Sequence, residues 1–418
     1  MGSPLLLREA FAAAQHPQFR ILWLANSLAS SALFFDMAVL TWLAFTLTGS
    51  PWQVALVGFW RTIPLLAIGA LGGVLADLFD RRRVAIATQW ANAAVALGLA
   101  TLLLNSQIAF WHLAASSLLM GLISAADQPT RRALVMDLVG RRDVVNAVAL
   151  DTATSMASRI PGPLLGGALI ALVGLGGCYL ALALCYAAAG LAALGLRPVP
   201  PLGHRSARHA TADLAEGFRY ALRRPAIWAA LAITMLCNLL VLPYQQFLPV
   251  FARDTLALDP FRYGTLWAIT WLGAFVASTA LAGMAQRFRP GPTFLIGPLL
   301  IGFGLLPFAL TSSYLVAILS LFVVGAGQGV YTSLQATILL LRTDEAMRGR
   351  MMGLLVFMIG VWPLGMLVMG SLIELAGASA AVVATSIALL LALGALTAWR
   401  RELYQSEERP VAGQRSPS

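Results

Sequence analysis

The sequence predicts an all-α membrane protein whose twelve transmembrane helices form two pseudo-symmetric six-helix halves. Three observations carry this. Hydrophobic residues make up 59% of the 418 and charged residues only 11%, with a mean hydropathy of +0.80, more apolar surface than a soluble chain of this length could bury. The apolar residues fall in long runs, and a helix crossing the ~30 Å hydrocarbon layer needs about 20 of them. The basic residues, all Arg, sit between alternate runs.

Twelve runs can be laid out, at 19–46, 53–77, 84–104, 110–128, 144–173, 177–196, 226–252, 263–286, 292–310, 314–341, 349–373 and 378–400. With the N-terminus inside, 24 of the 28 arginines fall in cytoplasmic segments. Arg253 and Arg262 lie in outside loops, and Arg61 and Arg159 within spans. This is the positive-inside asymmetry, and it places both termini in the cytoplasm. The net charge of +10 is therefore topology. Its partner is the lipid bilayer with its anionic headgroups, and no nucleic-acid role follows.

The organisation expected is a cytoplasmic N-terminus at 1–18, a six-helix bundle at 19–196, a cytoplasmic linker at 197–225, a second bundle at 226–400 and a disordered tail at 401–418. The linker carries Pro198, Pro200 and Pro201 and six of the arginines, and is too short to fold as a domain. The first apolar run holds Asp36 and no convincing cleavage site, which reads as a retained helix. Cys178, Cys185 and Cys237 all fall inside apolar runs and read as small hydrophobes.

The stretch from Gly72 to Arg83, Gly-Gly-Val-Leu-Ala-Asp-Leu-Phe-Asp-Arg-Arg-Arg, is the most specific in the chain. Its small residues allow close helix approach, and Asp77 ends the second run where it can cap a neighbouring helix. A worn counterpart, Gln286-Arg-Phe-Arg-Pro290, follows the eighth run. The stretch resembles the loop 2–3 signature of the major facilitator superfamily, in the form found in its enterobactin-exporter-like, drug-efflux branch. The resemblance implies the two-half fold and a conformational latch at Gly73, Asp77, Asp80, Arg81 and Arg82. Asp80 stands where the broader family has Gly.

A second signature is Ser158-Arg-Ile-Pro-Gly-Pro-Leu-Leu-Gly-Gly167. Pro161 and Pro163 remove backbone donors in mid-span, and the glycines admit another helix at the kink. It resembles the motif of exporters and antiporters of the superfamily, matching at Gly162, Pro163, Gly166 and Gly167. Asp127-Gln-Pro-Thr-Arg-Arg-Ala133 and Arg348-Gly-Arg350 are also similar to the branch's cytoplasmic loops. The basic residue that many drug–proton antiporters carry in the fourth span is missing, since residues 110–126 hold His112 but no Arg. Gly325-x-Gly327-x-Gly329 lies inside an apolar run with no strand before it, and reads as helix packing rather than a nucleotide loop. The sequence has no Walker motif, zinc-ligand spacing or nucleophile elbow, so no enzyme activity, cofactor or metal is expected.

Ionisable residues deep in a span are costly and point to function. Counting ~1.5 Å per residue places Asp36, Arg61 and Arg159 in one layer, with Asp36 paired to Arg61 or to Arg159. Asp36 is the first candidate for proton coupling and Asp151 the second. The substrate cavity is expected from Asp36, Arg61 and Arg159 on one wall and the neutral Asn238, Tyr244, Gln245 and Gln328 on the other, which suits an amphipathic substrate. The competing reading of the charged layer is a purely structural ion pair. The function expected is a monomeric secondary exporter of small molecules by proton antiport, handling siderophores or drugs. A lysophospholipid or other anionic-metabolite carrier, or a sensor on the same scaffold, are the alternatives.

Overall fold

In lipid a backbone can satisfy its polar groups only within itself, which leaves helices as the economical answer to such a sequence. The structure, a computed structural model, describes residues 12–78, 80–198, 210–284 and 289–399, and these are helical with no strand. The helices are α1 (Pro17–Thr48), α2 (Pro51–Leu78), α3 (Arg81–Leu104), α4 (Phe110–Ser158) and α5 (Pro161–Leu194) in the first half. Then follow α6 (Ala210–Leu222), α7 (Pro225–Leu236), α8 (Pro260–Gly283), α9 (Pro290–Leu310), α10 (Tyr314–Arg342), α11 (Arg348–Ile359), α12 (Trp362–Ala376) and α13 (Ala378–Trp399).

These fall where the spans were drawn, with differences that have local causes. Among the described residues nine stretches have the length and apolar composition of a membrane crossing, and Asp143–Leu194 joins two expected spans in one. The chain turns corners at glycines there: Gly140 within α4 and Gly174 within α5 have φ of 72° and 70°, a region glycine enters without steric cost. Expected span 5 is thus the end of α4 plus the start of α5, divided at Arg159 and Ile160 because Pro161 supplies no N–H. Span 7 continues from α7 through π-helical Cys237–Val241, 3-10 Leu242–Phe247 and π-helical Phe251–Thr255, around Pro243 and Pro249. Span 11 is broken between α11 and α12 at Gly360 and Val361, just before Pro363.

In the first half α1 and α3 pack most extensively on α5, and α2 on α4. In the second, α10 packs on both α8 and α9. The glycines at 325, 327 and 329 are where α10 meets its neighbours. A Cβ at Gly327 would lie 2.6 Å from the Gly297 carbonyl oxygen, while Gly325 and Gly329 face the backbones of Thr270 and Ala274. The stretch is helix packing, as its sequence context indicated. The most extensive contacts between the halves, among the described residues, are α5 on α8 and α2 on α12.

Of the expected linker, residues 199–209 lie outside the described residues, as does the tail at 401–418. The linker's second part is the helix α6, which the sequence reading did not draw. It docks on α11, where Gly217 faces Met351 and Arg350. The three cysteines are free, with Cys178 and Cys237 buried.

Candidate functional site

Asp36 lies in the apolar run of α1, and its side chain is 1% exposed. Arg61 of α2 meets it, Nη2 to Oδ2 at 2.8 Å, and is itself 9% exposed. The α2 backbone can come this close to α4 because residue 121 is glycine: a Cβ there would sit 2.5 Å from the Arg61 carbonyl oxygen. The Arg61 Nη1 also lies 2.7 Å from the Met120 sulfur. Among the described residues no other charged group pairs with this carboxylate. Of the two partners the sequence left open for Asp36, the fold selects Arg61.

Arg159 takes a different position. Its guanidinium carbon lies 4.9 Å from the Phe34 ring centre and 4.4 Å from that of Trp271. Phe34 belongs to α1 and Trp271 to α8, so the cation stands between the halves.

Asp151 is not part of this layer. It accepts a hydrogen bond from Asn26 Nδ2 at 2.8 Å, and Asn26 Oδ1 accepts one from Arg131 at 3.1 Å. Arg131 pairs with Asp127 at 2.7 Å, and Thr88 and Gln89 donate to the same carboxylate. This chain of polar groups ties α1, α3 and α4 together nearer the termini.

In the second half, Gln245 donates to Gln328 at 3.2 Å and Asn238 donates to the Tyr331 hydroxyl at 3.2 Å. Tyr244 is fully buried. The four neutral candidates thus stand as two cross-helix pairs' members and one buried ring, with span 7 supplying Asn238, Tyr244 and Gln245 from its irregular stretch.

The proline–glycine signature makes helix contacts on two sides. Cβ atoms at Gly162 and Gly166 would lie 2.9 Å from Phe34 and 3.3 Å from Val39 of α1. Gly167 faces the Pro260 carbonyl and Gly264 of α8, and the Pro163 carbonyl lies against Gly264 in turn. Close by, Thr41 Oγ1 and the Tyr263 hydroxyl are 2.8 Å apart. That hydroxyl donates to the Ala38 carbonyl at 2.9 Å and accepts from Trp267 Nε1 at 3.0 Å. Gln246 reaches the Val54 carbonyl at 3.4 Å, and Glu374 of α12 accepts from Ser50 and from the Trp52 N–H, both at 3.2 Å. All these cross-half contacts lie at the end of the bundle remote from the termini. The sequence reading named Gln246 and Trp271 among residues that could line a cavity but missed Thr41 and Tyr263; Tyr263, a polar-tipped aromatic within an apolar run, was the available signal.

At the other end, Asp80 caps α3 by accepting from the Arg82 N–H at 2.9 Å. Arg81, 6% exposed, pairs with Asp137 of α4 at 2.6 Å. Arg82 donates to the Leu194 carbonyl at 2.7 Å. The side chains of Gly73 and Asp77 lie outside the described residues.

Residues 8–415 match the model of the transmembrane secretion effector family, a branch of the major facilitator transporters. The chain belongs to that family. This major facilitator transporter is 30% identical to the enterobactin exporter EntS of Shigella flexneri over 351 residues, 81% of this chain and 80% of that one. It is 29% identical to the Escherichia coli O1:K1 enterobactin exporter EntS over 353 residues, 81% of each. Among solved structures, a bacterial homologue of the lysosomal transporter Spinster, inward-facing and unoccupied, superposes with a TM-score of 0.70. That likeness covers 94% of this chain and 99% of the other at 18% identity. The nucleoside transporter NupG gives 0.74 at 13% identity, covering 94% and 100%. These structures share the fold. The chain is a multi-pass membrane transporter and not an enzyme.

Proposed function

We propose that this transporter is a secondary exporter of small amphipathic molecules, working as a monomer by alternating access and exchanging its cargo for protons. The observation that carries the reading is the buried Asp36–Arg61 pair. A carboxylate held inside the membrane by a single cationic partner can take up and release a proton when the site exchanges one aqueous side for the other. Asp151, already engaged by Asn26, is second in line.

Export as the direction is supported by the relatives named as exporters and by the proline–glycine signature that seats α5 on α8. Their named cargo makes enterobactin the first siderophore to test. The Arg distribution supports a bacterial inner membrane protein with both termini, and the 197–225 linker between bundles 19–196 and 226–400, in the cytoplasm. On that orientation the end closed by Thr41, Tyr263, Gln246 and Glu374 is the outer one. Asp77 and Arg81 remain the latch candidates, and Arg81 pairs with Asp137.

The test is accumulation in energised inverted membrane vesicles. The reading expects protonophore-sensitive uptake of enterobactin, lost in Asp36→Asn. Uptake that survives the protonophore would remove the proton from the scheme, and absence of uptake would remove this cargo.

A further inference from the structure

Arg159 is the half-buried cation that the ion-pair scheme leaves over. Asp36 is taken by Arg61, and among the described residues no carboxylate pairs with Arg159. What surrounds it instead are the rings of Phe34 and Trp271, whose centres are 6.3 Å apart with planes inclined by 59°. Ring faces attract the guanidinium charge, but they give its N–H groups no acceptor. Arg159 Nε and Trp271 Nε1 are both buried without a hydrogen-bond partner among the described residues.

Two donors without acceptors, one from each half, are costly where no water replaces the missing partner. An anionic oxygen completes such a pair with charge-assisted hydrogen bonds. The flanking rings match a flat apolar body attached to that oxygen. We propose that Arg159 and Trp271 form a receptor for the acidic group of an aromatic, amphipathic anion, whose body stacks on Phe34. The proposal rests on the export reading only in taking the bound molecule to be cargo.

The position gives the receptor a consequence for transport. Phe34 and Arg159 move with the first half and Trp271 with the second, so an anion held by both donors binds best in a conformation that brings α5 and α8 together. Such differential affinity is what lets a cargo shift the population of states.

The test uses the full chain in lipid nanodiscs and equilibrium dialysis with naphthoate, naphthamide and naphthylmethylammonium, which share a body and differ in charge. Wild type is expected to bind naphthoate in preference to the other two. Arg159→Gln should weaken naphthoate about tenfold or more while leaving naphthamide unchanged, the size expected for losing a charge-assisted bond. Trp271→Phe keeps the ring and removes only the N–H, so it should weaken naphthoate by a smaller factor even if Arg159→Gln folds poorly. Arg159→Lys should retain part of the preference. Equal binding of naphthoate and naphthamide to wild type would overturn the receptor, as would unchanged naphthoate binding in both Arg159→Gln and Trp271→Phe. Either result would do so even if inverted vesicles export enterobactin. Failure of the vesicle assay beside charge-selective binding would instead sink the export reading and leave the receptor standing.

Discussion

Asp36 and Arg61 form an ion pair at 2.8 Å, with side chains 1% and 9% exposed, within the apolar runs of α1 and α2. Removing one member strands the other in a medium that cannot solvate it. That penalty is about 3–5 kcal/mol for a buried pair, whereas removing both charges together is often close to neutral. Arg61→Gln alone is therefore expected to lower the melting temperature of the purified protein more than the double variant Asp36→Asn with Arg61→Gln. A double variant as unstable as the sum of the singles would show that the pair is not a unit.

Tyr263 is the hub of the closed end, bonded to Thr41, to the Ala38 carbonyl and to Trp267. Tyr263→Phe keeps the ring against Trp42, 4.8 Å between centres, and removes those bonds. At about 1 kcal/mol net for each bond, the open population should rise roughly tenfold or more. The check is labelling of a single cysteine at position 38, where the buried Ala contributes only its backbone carbonyl, by an impermeant maleimide, in a background lacking Cys178, Cys185 and Cys237. Faster labelling from outside is expected in Tyr263→Phe.

Gly167 meets the Pro260 carbonyl and Gly264 across the boundary between the halves, and no side chain fits there without separating α5 from α8. Gly167→Val should open the same end through overpacking, at about 1–3 kcal/mol. The same cysteine reports it. Gly98, whose Cβ position meets nothing within 4 Å, provides the control: Gly98→Ala should leave the labelling rate unchanged.

The α6–α11 junction is expected to loosen in acid. Asp344 accepts hydrogen bonds from Arg224 Nη2 at 2.6 Å and from the Tyr220 hydroxyl at 3.0 Å, and these hold its carboxyl below its ordinary value. A depressed carboxylate stabilises the folded contact above its unfolded pKa, and the contribution fades as pH falls through the folded one. The protection of Ala210–Leu222 against hydrogen exchange, taken relative to the intrinsic rate at each pH, should therefore fall as pH drops below the usual Asp range. In Asp344→Asn that acid step should disappear.

Depth in the membrane was legible from the sequence, whereas azimuth was not. Counting residues places Asp36, Arg61 and Arg159 in one layer because helical rise is constant. Which Arg the carboxylate meets depends on how α1, α2 and the kinked α4–α5 junction are rotated about their axes, and a single chain's periodicity does not fix that. The proline–glycine signature could be read as a contact surface, but Gly264 and Pro260, the far side of it, carry no mark of their own. Pro243, Pro249 and Pro363 are visible interruptions within spans 7 and 11 that a hydropathy layout passes over. The same layout overlooks α6, whose Leu214 and Phe218 recur at helical spacing within a polar linker.

The central claim is that Asp36 carries the proton exchanged for cargo, and substrate-induced proton release from the purified protein tests it most directly. With a substrate that the vesicle assay has identified, wild type should release protons on substrate addition, and Asp36→Asn should still bind the substrate but release none. Release of equal size from both proteins would contradict the account and move the coupling carboxylate elsewhere, to Asp151 first.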